Sequence, residues 1–189
     1  MPTTRGLVEK PIDKKYVLNN FFSDKKKDYL YKAKIDIYNK KLGGILIIKK
    51  IGKEHHRIVF TTEIGNKIFD FEIISDDFKV NYMLDELNKN MVLNTLQSNF
   101  NILVKQHISV EKQLNSAKEI IFKTSYDDNF DLYYFYLKED KKLFKIIKAS
   151  KKKEKVIFDF LETRNNVGTK IAIIHQNIQL KIHLNYIGN

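Results

Sequence analysis

The sequence lacks cysteine altogether, and its 189 residues include only two prolines and seven glycines. Without cysteine the chain can form neither disulfides nor thiolate metal sites. The scarcity of proline and glycine leaves little room for disordered linkers, and an apolar fraction of 43% is typical of a globular chain. A single domain is expected at this length, which is large enough to bury a core without cross-links.

Long apolar runs are missing as well. No stretch of about 18 apolar residues occurs, so the sequence predicts no transmembrane helix. No signal peptide is visible, and the first four residues have no feature of an ordered start. Because a removed leader replaced by a start methionine would look the same, the missing signal does not establish a cytoplasmic protein.

Arginine is scarce in a strongly basic chain. The formal charge is +11, yet only Arg5, Arg57 and Arg164 are arginines among the 34 basic residues. A basic balance suits nucleic acid, anionic lipid head groups or acidic partners. Proteins that read bases rely on the forked guanidinium of arginine, and a joint excess of lysine, asparagine and isoleucine also follows from AT-rich codons. RNA binding therefore ranks last, and no nucleic-acid partner is expected.

Residues 56–74 predict two strands joined by a tight turn. In the second strand Phe69 and Phe71 alternate with Asp70 and Glu72, which is the period of a half-buried strand.

The turn itself spans Thr62–Asn66, and Gly65 and Asn66 are expected to supply the positive φ angles that a short hairpin needs. Ile64 is unusual at the tip, because turn tips are polar as a rule. The side chain either packs back onto the sheet or is held out to meet an apolar surface, and the residues alone leave both alternatives open.

Alternating apolar residues predict a mainly β, α+β fold with about eleven strands at hairpin spacing. One helix is predicted over Leu84–Val104, where apolar residues recur every three to five positions without glycine or proline. A weaker helix or loop is expected over Ser109–Lys118. So long an antiparallel sheet must curl, and a helix of about 20 residues is only about 30 Å long. We therefore expect a curled sheet wrapped over the helix, with apolar interior left over as a cavity.

The motifs of catalysis are missing. The sequence contains no G-x-S-x-G, P-loop or dinucleotide fingerprint. His55 and His56 point to opposite faces of a strand and the other histidines are scattered, so neither a metal site nor a cofactor is expected. The paired aspartates at 76–77 and 127–128 lie in predicted turns, where aspartate caps backbone N–H groups. We expect a binding protein rather than an enzyme.

Three segments together point to a known family. Over Arg57–Asn66, an apolar strand that begins with arginine leads into an Ile-Gly turn and a second strand. The helix Leu84–Val104 follows the fifth strand. The last two strands lie within Ile171–Ile187. In this order they resemble the LolA/LolB family of periplasmic lipoprotein carriers and receptors, LolB in particular. The likeness covers nearly all of the chain from about Asp28. The departures are Glu63 where LolB has proline and the absence of tryptophan.

The resemblance implies an unclosed β-barrel with a helical lid or plug, whose apolar cavity takes the acyl chains of lipoproteins or other lipids. It places the membrane-contacting turn at Ile64 and Gly65. It further implies delivery to the inner leaflet of the outer membrane, exchange with a periplasmic carrier protein, and a lipid anchor on a removed leader. Residues 1–27 are polar and lysine-rich with one apolar knot at 16–22, which predicts a tether that docks on the body, and 28–189 would be a single lipid-binding domain that acts as a monomer.

The candidate cavity lining consists of apolar residues on the predicted strands and helix: Ile47, Phe60, Phe69, Phe71, Phe78, Val80, Leu96 and Phe100. Burying one acyl CH₂ contributes about 0.8 kcal/mol, so an ordinary chain binds strongly in a dry cavity. Ordinary core is the alternative for each of these residues. The alternative for the whole protein is a non-enzymatic adaptor of the cell envelope that has a filled core and binds protein partners.

Overall fold

The computed structural model describes residues 2–4 and 6–188, most of which form antiparallel strands. The strands are β1 (Val8–Lys10), β2 (Tyr16–Leu18), β3 (Asp28–Ile37), β4 (Lys40–Gly52), β5 (His55–Thr61), β6 (Lys67–Ile74), β7 (Asp77–Met83), β8 (His107–Ser109), β9 (Lys112–Asn115), β10 (Glu119–Ser125), β11 (Phe130–Leu137), β12 (Leu143–Ser150), β13 (Glu154–Arg164), β14 (Val167–His175) and β15 (Leu180–Tyr186). The helices are α1 (Asn90–Val104) and short 3-10 turns at Pro2–Thr4 and Asp85–Leu87. No helix in these described ranges is long and apolar enough to cross a membrane.

Thirteen of the strands form one antiparallel sheet in the order β1-β9-β10-β11-β12-β13-β14-β15-β3-β4-β5-β6-β7. Two meanders, β3–β7 and β9–β15, meet where β15 pairs with β3, with Ile182 opposite Ile35. Among the described strands, β1 and β7 are the two edges and do not pair with each other, so the sheet stays open. The predicted large, unclosed antiparallel sheet is thereby confirmed, while its barrel shape stays a prediction.

Helix α1 lies against one face of the sheet and contacts both meanders. The ring of Phe100 lies 5.8 Å from that of Phe69 on β6, and the side-chain oxygen of Asn99 accepts a hydrogen bond from His175 at the end of β14, at 3.0 Å. Buried side chains of both meanders and of α1 belong to one continuous core. Helix α1 therefore packs on a face that both meanders share, while the curling of the sheet over the helix stays a prediction.

The N-terminal segment completes this core. Phe21 and Phe22 are 6% and 1% exposed, and the ring of Phe21 stacks on Phe160 of β13 with centroids 4.3 Å apart. Val17 on β2 is buried beside them, and β2 pairs with β8 in a separate two-stranded sheet. Side chains that precede residue 28 are thus part of the main core beneath the sheet.

Hydrogen bonds to the backbone and strand pairing hold the N-terminal segment in place. The side-chain amide of Asn19 donates to the carbonyls of Leu103 and Lys105 at the end of α1, at 3.1 and 3.2 Å. Strand β1 pairs with β9 at the sheet edge. Met1 and Arg5 lie outside the described residues, and the predicted division of the chain at residue 28 stays a prediction.

All eleven predicted strands are present, and the structure adds four strands of three or four residues, β1, β2, β8 and β9. The expectation of helix or loop over Ser109–Lys118 is wrong, because β9 lies within it. The four added strands pair with one another across about a hundred residues, which local periodicity does not reveal. The predicted helix starts too early, since α1 begins at Asn90 after the 3-10 turn.

Candidate functional site

The turn between β5 and β6 is a closed hydrogen-bonded loop. The N–H of Gly65 donates to the carbonyl of Thr62 at 3.0 Å, and the N–H of Thr62 donates to the carbonyl of Asn66 at 2.8 Å. Gly65 has φ +91°, in the region that favours glycine. Asn66 is not among the described residues with positive φ, so the prediction that both residues supply such angles is wrong for Asn66.

Ile64 is held out at the tip of this turn and is 85% exposed. The neighbouring Glu63 forms an ion pair with Lys32 of β3 at 3.0 Å. Glu63, which stands where the LolB pattern has proline, therefore has a cationic partner on the sheet. Contact of Ile64 and Gly65 with a membrane stays a prediction.

A buried carboxylate links the two strands of the hairpin below the turn. Asp70 is 1% exposed and accepts two hydrogen bonds from Arg57, at 3.0 and 2.8 Å, and one from Lys67 at 3.0 Å. The hydrogen bonds from Arg57, followed by those from Lys67 and Asn81, lower the pKa of Asp70 to about 2 in spite of burial. This network fixes the register of β5 on β6, and with it the position of the turn.

Gly44 on β4 provides a second constraint on the hairpin. A Cβ at this position would lie 1.9 Å from the carbonyl oxygen of Thr61 and 3.1 Å from the ring of Phe60. The backbone at the end of β5 therefore crosses directly over Gly44, and only glycine leaves room for it.

Five of the eight predicted lining residues lie together in the interior: Phe60, Phe69, Phe71, Leu96 and Phe100, each at most 2% exposed. The rings of Phe69 and Phe71 are stacked with centroids 4.5 Å apart, and that of Phe60 lies 5.3 Å from Phe69. The structure thus brings these residues into one cluster, which we call the aromatic cluster, but they pack against one another instead of facing open space.

The other three predicted lining residues lie outside the aromatic cluster. Phe78 on β7 is partly buried beside it, with its ring 4.9 Å from that of Phe71. Val80 on the same edge strand is 39% exposed. Ile47 alternates with the buried Leu46 and Ile48, so it lies on the opposite, half-buried face of β4.

Open space lies on two sides of α1. A cleft of about 480 Å³, here called the Asn101 cleft, lies between the C-terminal half of α1 and strands β8, β10 and β11. A cleft of about 560 Å³, here called the Lys148 cleft, lies between the N-terminal half of α1 and the ends of β12–β14. Residues that line the first include Asn101, Ile102, Ile108, Thr124 and Tyr134, and residues that line the second include Tyr38, Met91, Ser98, Phe130, Lys148 and His175.

Several buried polar atoms at these clefts have no hydrogen-bond partner within the described part of the chain. They are the side-chain oxygen of Asn101 and the hydroxyl of Tyr134 at the Asn101 cleft, and the hydroxyl of Tyr38 at the Lys148 cleft. The side-chain amide nitrogen of Asn99, on the buried face of α1, is also unpartnered. Buried polar groups are nearly always paired. These unpaired polar atoms therefore distinguish the surroundings of α1 from a fully packed apolar core.

The adjacent histidines at the start of β5 have separate structural roles. His55 bonds to Glu72 at 2.9 Å on one face, and the Nε2–H of His56 donates to the carbonyl of Phe22 at 3.0 Å on the other. Burial lowers the pKa of His56 to about 4, so its imidazole is neutral at physiological pH. Across residues 2–4 and 6–188, no group of three or more His, Asp or Glu side chains is placed to hold a metal ion.

Comparison with known proteins gives the fold a name. No protein-family model and no curated protein sequence matches the chain. A LolA superfamily protein from Nitrosomonas europaea has a similar structure, with a TM-score of 0.56 over 89% of this chain and 88% of that chain. The fold is LolA-like. The two sequences are 11% identical, so the similarity concerns the fold alone.

A second solved structure is also similar. It is a DUF1329 family protein from Desulfovibrio piger, with 9% identity and a TM-score of 0.43 over 85% of this chain and 83% of that chain. The LolA-like fold confirms the resemblance that the order of strands and helix indicates.

The sequence pattern does not single out Lys148, Ser98 or His175, which meet at one cleft of the LolA-like fold. Strand β12 is apolar on both faces, with Ile146 in the main core and Ile147 in a smaller cluster on the other face. Alternation therefore does not tell which of the two faces carries a cleft. The only available signal is that Lys148 shares its parity with the fully buried Ile146.

Proposed function

We propose that this chain is a carrier or receptor of acyl chains, which binds lipoproteins or other lipids beneath α1 and helps deliver them to the outer membrane. The observation that carries the proposal is the position of α1, which packs against an open LolA-like sheet between clefts of about 480 and 560 Å³. Both volumes fall within the range of known ligand sites. Binding and release would be physical steps without covalent chemistry.

In this proposal α1 acts as a lid over the aromatic cluster. The helix has no side-chain cap at Lys89 and no acidic residue in its first turn. Asn99 is fully buried with an unpartnered amide nitrogen, and such a group costs about 1–3 kcal/mol. Displacement of α1 would return this amide to water and open the cluster around Phe69 and Phe71 to an acyl chain.

The turn at Ile64 and Gly65 would contact the membrane during delivery. An isoleucine side chain that is 85% exposed gains about 1.5–3 kcal/mol when it enters an apolar phase. The proposed location is the periplasmic face of the outer membrane, where a periplasmic carrier protein would be the exchange partner.

A second candidate is a protein-binding adaptor with a filled core. It is favoured by the packing of the aromatic cluster and by the free edge of the sheet at β7, where Val80 and Tyr82 are 39% and 41% exposed. An unpaired strand of this kind can accept an added strand from a partner.

Native mass spectrometry of protein purified without detergent, followed by organic extraction, distinguishes the two candidates. We expect a co-purifying acyl lipid, or saturable uptake of a fluorescent fatty acid, and faster hydrogen exchange in α1 than in β11 before the ligand binds. A clean apo mass with no uptake of the probe would reject the carrier and leave the adaptor.

A further inference from the structure

The Lys148 cleft holds a positive charge fixed between sheet and helix. The ammonium of Lys148 lies 3.7 Å from the ring centroid of Tyr126 and 4.8 Å from that of Phe130. It also donates a hydrogen bond to the hydroxyl of Ser98 on α1, at 3.1 Å. The charge is therefore held in one place on the wall of the cleft instead of extending into solvent.

Among the described residues, no carboxylate pairs directly with this ammonium. Within residues 2–4 and 6–188, neither Lys148 nor Lys155, which lines the same cleft, forms an ion pair. Asp127 acts on Lys148 electrostatically without forming an ion pair with it, and its Oδ1 accepts the backbone N–H groups of Asn129 and Phe130. Cation–π contacts stabilise an ammonium without neutralising it.

The protonation state suits an anion. Burial lowers the pKa of Lys148 to about 8, so most of the ammonium remains charged at neutral pH. His175 also lines the cleft, and burial together with the charge of Lys148 lowers its pKa to about 4, so its imidazole is neutral. His175 therefore adds no positive charge to that of Lys148 at the wall.

The same cleft combines a free hydrogen-bond donor with apolar surface. The hydroxyl of Tyr38 is buried and has no partner among the described residues. Met91, Val156 and Ile178 line the cleft beside it. The ring of Tyr126 touches Lys148 on one side and lines the Asn101 cleft on the other, so the two clefts adjoin along α1.

We propose that the Lys148 cleft binds the oxyanion head group of a single-chain acyl amphiphile, such as a fatty-acid carboxylate, with Lys148 as its counter-ion. The hydroxyl of Tyr38 is a second donor to the head group, and the apolar wall takes the first part of the chain. This inference rests on the proposed acyl binding and adds to it a preference for a charged ligand.

The test compares a long-chain fatty acid with the alcohol of the same length as competitors of a bound fluorescent fatty acid at neutral pH. A hydrogen bond to a charged group changes affinity by about tenfold or more, so we expect the acid to bind about tenfold more tightly than the alcohol. Lys148→Met should abolish this preference, whereas Lys148→Arg should retain it.

Lys145→Met is the matched control. Lys145 lies on the same strand and pairs with Asp159 at 3.6 Å, and its loss changes the net charge of the protein equally. Equal affinities of the wild-type protein for acid and alcohol would overturn the head-group proposal alone, as would an equal effect of both lysine substitutions. Binding of neither competitor would overturn the acyl-binding function as well. Inorganic phosphate that binds through Lys148 as tightly as the fatty acid does would reject an acyl ligand in favour of a free oxyanion.

Discussion

Replacing Ile64 by glutamate should separate membrane contact from folding and ligand binding. Ile64 is 85% exposed at the tip of the β5–β6 turn, and the hydrogen bonds that close the turn involve Thr62, Gly65 and Asn66. A substitution at such a site changes the free energy of unfolding by no more than about 0.5 kcal/mol. Urea denaturation should therefore give nearly the same midpoint for Ile64→Glu and the wild-type protein.

The expected effect on membrane binding is much larger. Transfer of an isoleucine side chain into an apolar phase contributes about 1.5–3 kcal/mol, and the glutamate loses this contribution and adds a charge that resists transfer. The partition coefficient should fall by about tenfold to a hundredfold. Co-flotation with phospholipid vesicles measures this change, and uptake of a fluorescent fatty acid should remain at the wild-type level.

Leu161→Glu is the control for a general loss of apolar surface. Leu161 lies on β13, in the other meander, and is 63% exposed. It should leave vesicle binding close to the wild-type value. An equal loss of vesicle binding in both variants, or a parallel loss of fatty-acid uptake in Ile64→Glu, would refute a specific role for the turn.

Three further outcomes concern stability, each measured by urea denaturation. The pKa of Asp70 in the folded protein is about 2, against an ordinary 3.8, so its ionised form adds about 2 kcal/mol to the free energy of unfolding above pH 4. This contribution is lost as the pH falls towards 2. Asp70→Asn should remove this acid-dependent loss of stability. Gly44→Ala should destabilise the protein by about 1–3 kcal/mol through its overlap with Thr61, whereas Gly43→Ala, which meets no atom within 4 Å, should be close to neutral. Phe22→Ala should cost about 3–5 kcal/mol if the N-terminal segment is part of the core, and a cost below about 1 kcal/mol would show that it is not.

Long strands with one buried face can be predicted from the sequence because their signal is local. In β15, Leu180, Ile182 and Leu184 are buried and alternate with polar residues, as the pattern requires. The strands of three or four residues carry no such pattern. Strand β2 exists because Val17 lies opposite Ile108 of β8, and that pairing depends on the finished fold.

Local sequence patterns are limited in the same way for the interior residues of the candidate site. Alternation correctly directs Phe60, Phe69 and Phe71 inward, and helical spacing does so for Leu96 and Phe100. It does not tell whether space remains between them, because that depends on residues far away in sequence. Phe21 and Phe22, which precede residue 28, belong to the same core as these five residues.

The pairing of β15 with β3 has a consequence for how the chain folds. Strand β3 ends at Ile37 and its partner β15 begins at Leu180, so one side of β3 has no partner until almost the whole described chain has been synthesised. Contacts between such distant segments slow folding, and an unpaired strand edge is prone to association with other chains. The meander β3–β7 can form early, but its β3 edge stays exposed during synthesis. Chaperone protection of this one edge should therefore limit aggregation of the nascent protein more than protection of β7, which remains an edge in the folded state.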